Sequence, residues 1–183
     1  MLHWLIDHGY TTCSAVALTN AVGNGFTAVV KLLHDRLGFK RAPLALAAAS
    51  GRGDIEQVMW LADNGYCEGA IRSAIMAAAR NGHNAICQWL LTMDRGFPIE
   101  KAVSAALREG QLDMAQSLCE SSSIVISDDL LGDALQSDDL VVAEWALSRL
   151  TIKTAVNWDA LYVRASSSMM RSWVEQQRLE FRL

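Results

Sequence analysis

The chain is poor in the residue that most strongly interrupts helices and in the patterns that mark chemistry. It has two prolines in 183 residues, Pro43 and Pro98, so long stretches are free of that break. Its four cysteines, Cys13, Cys67, Cys87 and Cys119, stand 54, 20 and 32 positions apart. Without a C-x-x-C pair the usual structural zinc site is excluded. An apolar share of 51% folds a chain of this size without disulfides, so a reducing, cytoplasmic setting is expected. There is no uninterrupted run of 18 apolar residues to span a membrane. The start, MLHWLIDHGY, meets Asp7 and His8 too early for a signal peptide. No stretch alternates apolar and polar residues as a half-buried strand does. Also missing are a Gly-rich phosphate loop, H-E-x-x-H and G-x-S-x-G. The expectation is a soluble protein that is not an enzyme and carries no catalytic residues, metal or cofactor.

Charge narrows the partners. The formal net charge is −4, and residues 110–150 hold eight acids (Asp113, Glu120, Asp128, Asp129, Asp133, Asp138, Asp139, Glu144) against one base, Arg149. An acidic band excludes a nucleic-acid grip or an anionic membrane surface and favours a basic protein partner over either. Its plainer reading is a solvated helical face.

What the chain does contain is a repeat. Gly25, Gly53, Gly82, Gly110, Asp138 and Ser166 follow one another at intervals of 28, 29, 28, 28 and 28. Four residues before these anchors stand Ala21, Ala49, Ala78, Ala106 and Ala134, then Tyr162. Five after come Val30, Val58, Cys87, Ala115 and Ala143. Seven after come Leu32, Trp60, Trp89, Ser117, Trp145 and Trp173; eight after come Leu33, Leu61, Leu90, Leu118, Ala146 and Val174. Each period holds a short Ala-rich helical stretch and a second one with apolar spacings of three and four. The anchor glycines separate the two, where a left-handed residue reverses the chain. Gly9-Tyr10, Gly38-Phe39, Gly65-Tyr66 and Gly96-Phe97 close the second helix with a left-handed glycine and an apolar anchor. Pro43 and Pro98 fall at or just before a first helix. The fold class is all-α, a stack of helix-turn-helix repeats with the tryptophan column as core packing.

The columns also settle His83 and Cys87, four apart and so on one helix face. Cys87 fills a slot otherwise Val or Ala, and the His83 slot elsewhere holds Phe26, Asp54, Gln111 and Asp139. The pair is incidental to packing rather than a metal or nucleophile site. Asp138-Asp139, which takes the place of a turn glycine and its neighbour, reads as a turn or helix cap, not a catalytic carboxylate pair.

AAARNGHNAICQWLL at 77–91 resembles the ankyrin repeat core, in which A-A-x-x-G-H precedes an apolar pair and L-L. Ala78, Ala79, Gly82, His83, Ile86, Leu90 and Leu91 carry the match, and GFTAVVKLL (25–33) and GDIEQVMWL (53–61) repeat its second half. The resemblance extends over about residues 1–150. The step near 28 is shorter than the family's usual period, so the projecting hairpins are expected to be short or absent. The family signature T-P-L-H survives only as APLAL at 42–46. The resemblance implies an ankyrin-like α-solenoid that binds another protein on its concave face, formed by the first helices and the loops before them. On this chain that face is Thr11, Thr12, Lys40, Arg41, Glu68, Arg72, Glu100, Lys101, Asp128 and Asp129.

A single repeat domain over 1–183 is expected: a partial repeat at 1–13, five repeats over 14–153, and a degenerate repeat or cap at 154–183. HWLIDHGY aligns with MWLADNGY at 59–66, so the chain opens inside a second helix. Three readings stay open there: a half-repeat cap, a piece of a longer array, or self-association through the Trp4-Leu5-Ile6 end. An alternative function is the targeting segment of a larger protein such as a ubiquitin ligase adaptor.

Overall fold

The structure, a computed structural model, describes residues 15–37, 42–150 and 156–181. Among these the regular structure is helical, apart from an isolated parallel bridge between Ile126 and Leu150. The Gly25 repeat is α1 (Ala15–Gly23) and α2 (Thr27–Leu37); the Gly53 repeat is α3 (Pro43–Arg52) and α4 (Ile55–Asp63). The Gly82 repeat is α5 (Ile71–Arg80) and α6 (Asn84–Met93), and the Gly110 repeat is α7 (Ile99–Arg108) and α8 (Leu112–Ser122). The Asp138 repeat is α9 (Asp128–Ala134) and α10 (Leu140–Arg149), and the Ser166 repeat is α11 (Trp158–Arg164) and α12 (Ser168–Glu180). The chain is all-α, with an ankyrin-like helix-turn-helix pair in every described repeat.

The chain falls into two compact bodies, one of residues 1–78 and 85–97, the other of residues 79–84 and 98–183. In the first, α1 packs on α2 and α3, and α3 on α4. In the second, α7 pairs with α8, α9 with α10 and α11 with α12, while α9 packs against both α7 and α11. First helices therefore stack on first helices. Ala45 and Ala49 in α3, Ala102 and Ala106 in α7 and Ala134 in α9 are buried, and alanine at these positions lets the backbones approach closely.

The turns follow the anchors. Gly25, Gly53, Gly82 and Gly110 have φ of 74, 82, 74 and 72°. Asp138 takes the same slot at φ 61°, a conformation that costs most side chains energy but that a short polar one tolerates. Here the carboxylate is used: Asp138 Oδ1 accepts hydrogen bonds from the Ser167 hydroxyl and, at 3.2 Å, from the Ser166 hydroxyl. Asp139 caps α10 by accepting from the Val141 N–H at 2.9 Å. The Ser166 repeat, degenerate in sequence, forms a full pair because Ser167 caps α12 through the Met170 N–H at 3.2 Å.

Two expectations are corrected. Gly65 ends its helix left-handed at φ 85° and the Tyr66 behind it is buried, but Gly96 is not left-handed. Asp94 makes that turn, its Oδ1 accepting from the Gly96 N–H and its carbonyl from the Phe97 N–H, both at 3.1 Å. Gly9 and Gly38 lie outside the described residues. The tryptophan column is not uniformly core: Trp173 is buried, but Trp60, Trp89 and Trp145 are only half-buried. Helical phase explains this. Positions four, five and eight after the anchor form the inward stripe, as with Ile86, Cys87 and Leu90, whereas position seven sits about 100° away on the flank. Trp60 stacks on Tyr66 at 6.4 Å and meets His34 edge-on at 5.2 Å, and the Tyr66 hydroxyl lies 2.9 Å from His34 Nδ1.

Candidate partner-binding surface

The ten residues expected on the recognition face divide three ways. Thr11, Thr12, Lys40 and Arg41 lie outside the described residues. Glu68, Arg72, Glu100 and Lys101 are exposed at or just before the start of first helices, with Arg72 Nε donating to Asp94 Oδ2 at 2.9 Å. Asp128 and Asp129, at the start of α9, reach the next helix pair. Asp128 Oδ2 accepts from the Asn157 N–H at 3.3 Å, and Asp129 Oδ1 from Arg164 at 2.9 Å. Those two carboxylates join α9 to α11.

The structure adds positions that a search for polar residues passes over. Nine residues before each anchor stand Val16, Leu44, Ser73, Lys101, Asp129 and Asn157, and all six are exposed. With the positions six and two before the anchor they share one helix face. On α1 and α3 that face is mostly apolar: Val16 is 62% exposed and Leu44 63%, with Thr19, Ala47, Gly23 and Gly51 in the same columns, while α5 of the same body has Ser73 and Met76 there. In the second body the same columns carry Lys101, Ser104, Arg108, Asp129 and Gln136. One surface pattern thus has two chemistries.

A buried charge cluster also emerges. Asp133, 5% exposed in α9, accepts from the Ser104 hydroxyl at 2.6 Å, from Arg108 Nε at 3.0 Å and from an Arg164 guanidinium N–H at 2.6 Å. Three successive first helices, α7, α9 and α11, meet on this carboxylate. Gly132 makes room for it: a Cβ there would lie 2.4 Å from the Arg164 guanidinium carbon. A carboxylate that takes hydrogen bonds from both neighbouring first helices acts as a fastener between them. Its signal was present in sequence. The column five before the anchor reads Asn20, Ala48, Ala77, Ala105, Asp133, Leu161, and Arg108 and Arg164 occupy one column in the repeats on either side.

Cys87 is fully buried, and burial pushes its thiol up from 9.0 to about 11, the reverse of an activated nucleophile. Cys67 and Cys119 are also raised, both mainly by burial. Among the described residues no group of three or more His, Cys, Asp or Glu is placed to hold a metal ion, and no helix is long and apolar enough to cross a membrane. The Cys87 thiol predicts a pH dependence. The folded state keeps a proton that the unfolded state releases above pH 9.0, so the associated stability is complete below pH 9 and falls as pH rises toward about 11. The slope is on the order of 1.4 kcal/mol per pH unit. Denaturant titrations of the wild type and Cys87→Ala between pH 8 and 11 should differ by that slope.

Residues 18–98 match a family model described as ankyrin repeats, in three copies. Comparisons with curated proteins and with solved structures found no match. The matched stretch takes in the Gly25, Gly53 and Gly82 anchors, and helix pairs on the same step follow it. Over residues 18–98 this chain is similar to ankyrin repeats.

Proposed function

We propose that the chain is a non-catalytic protein-interaction module of the cytoplasm that seats a protein partner on the exposed face of its first helices. Ankyrin repeats are in general protein-binding elements. The observation that carries the reading is the pair of exposed aliphatics, Val16 and Leu44, at matching positions of the packed helices α1 and α3. A face that only needed solvation has no use for two large exposed aliphatics at matching positions of adjacent helices. The partner presents an apolar segment to α1 and α3. Glu68, Arg72, Glu100 and Lys101 set charge requirements around the contacts of their own bodies, and Thr11, Thr12, Lys40 and Arg41 belong to the same proposed surface.

The test is cross-linked capture from lysate read by mass spectrometry. Leu44→Glu should lower recovery of a specific partner by at least about tenfold, the loss of one central anchor. Val141→Glu, equally exposed on α10, should leave it unchanged. Equal loss with both variants, or with neither, sinks the assignment to first helices.

A further inference from the structure

We infer that the outward face of the last helix pair, α11 and α12, is where two copies of this chain pair with each other. The face is the continuation of an interface the second body already uses. Ala106, Leu107 and Ala115 of the Gly110 repeat are buried, as are Ala134, Leu135 and Ala143 of the Asp138 repeat. The same three columns in the Ser166 repeat hold Tyr162, Val163 and Arg171, and all three are exposed, Val163 by 78%. The inner packing of that repeat is intact, with Leu161, Met170, Trp173 and Val174 buried. The exposed columns are therefore those that the next helix pair covers elsewhere in this body.

The residues now in those columns are unsuited to another repeat in the same register. Tyr162 stands where every other repeat has alanine and holds a helix off. Arg171 stands in a column of Val, Cys and Ala, where a stacked repeat would bury its charge without a partner. They suit a two-fold contact. Tyr162, Arg171, Glu175 and Leu179 line one cleft of about 580 Å³, and the Arg171 guanidinium lies 6.0 Å from the Tyr162 ring centre. Arg171 and Glu175 are one turn apart on α12. In a two-fold pairing each residue meets its counterpart's neighbour, so antiparallel α12 helices place Arg171 of one copy against Glu175 of the other, twice. Among the described residues Glu175 pairs with Arg178 at 3.8 Å, and Arg178 is held more closely by Asp159 at 2.8 Å. The apolar area between the two ion pairs is supplied by Val163, Leu179 and the Tyr162 ring.

Light scattering and sedimentation on the full chain test this. The wild type should show twice the 20.0 kDa chain mass at high concentration and dissociate on dilution. Val163→Glu should remain monomeric, with helix content unchanged by circular dichroism, while Val141→Glu dimerises as the wild type does. Arg171→Glu and Glu175→Arg should each be monomeric alone, and an equimolar mixture should recover the doubled mass, because opposite charges then face each other across the axis. A wild type that stays monomeric at every concentration overturns the proposal, as does a dimer indifferent to Val163→Glu or a mixture that fails to recover.

Discussion

Replacing Arg108 and Arg164 together with methionine should destabilise the second body by about 3–5 kcal/mol, the cost of leaving a buried carboxylate without a counter-charge. Asp133 would keep only the Ser104 hydroxyl. Arg164→Met alone should cost about 1–2 kcal/mol, since Arg108 still donates at 3.0 Å. The sign of the next step is the decisive one. Adding Asp133→Ala to the double variant should recover most of the loss, because alanine is what three other repeats carry in that column and a packed apolar contact replaces a buried ion pair at little cost. Urea titrations of the three variants make the comparison. A triple variant no more stable than the double would mean that the arginine stems, not the charge pairing, hold α7 and α11 to α9.

Leu118→Ala should cost about 3–5 kcal/mol, more than Trp145→Ala at about 1–2 kcal/mol, although tryptophan is the larger residue. Leu118 is fully buried, and its loss leaves a cavity that neighbours such as Met114 and Ala115 on the same helix cannot close. Trp145 is half-exposed, with its ring under the Arg149 guanidinium at 5.8 Å, so truncation returns to water a surface already partly wet. Since repeats are stabilised by their nearest neighbours, the Leu118 loss should appear in α7 and α9 as well, as faster amide exchange there. Equal costs for the two variants would show that the tryptophan column carries core energy after all.

The periodic part of this fold was legible because it is written in positions that recur. The turn anchors, the alanine column and the leucine column are each set by one local requirement met several times, and the structure finds left-handed turns at Gly25 and Gly110 and buried side chains at Leu33 and Leu90. The tryptophans misled because size suggested burial while the helical phase put them on a flank. Gly96 misled because Asp94, two residues earlier, closes the turn with its side chain instead. Asp133 was counted in an acidic band and not recognised as a contact, since its arginines are 25 and 31 residues away and no local pattern joins them. The candidate surface was half legible. Polar residues at the start of first helices were identified, but Asp128 and Asp129 are spent on α11. Val16 and Leu44 were passed over because apolar side chains suggested core.

Repeat proteins are modular: whole periods can be excised or duplicated, and the remaining pieces still fit. The Asp133 fastener limits that freedom here, because it joins three periods that are not equivalent. Excising one period from the first body, residues 26–53 for instance, removes no member of the set. Excising residues 139–166 takes Arg164 away with it, and excising 111–138 takes Asp133 and leaves both arginines behind. The order of the last three repeats is therefore written into the array, and shuffling them carries a charge penalty that the aliphatic columns alone would never impose.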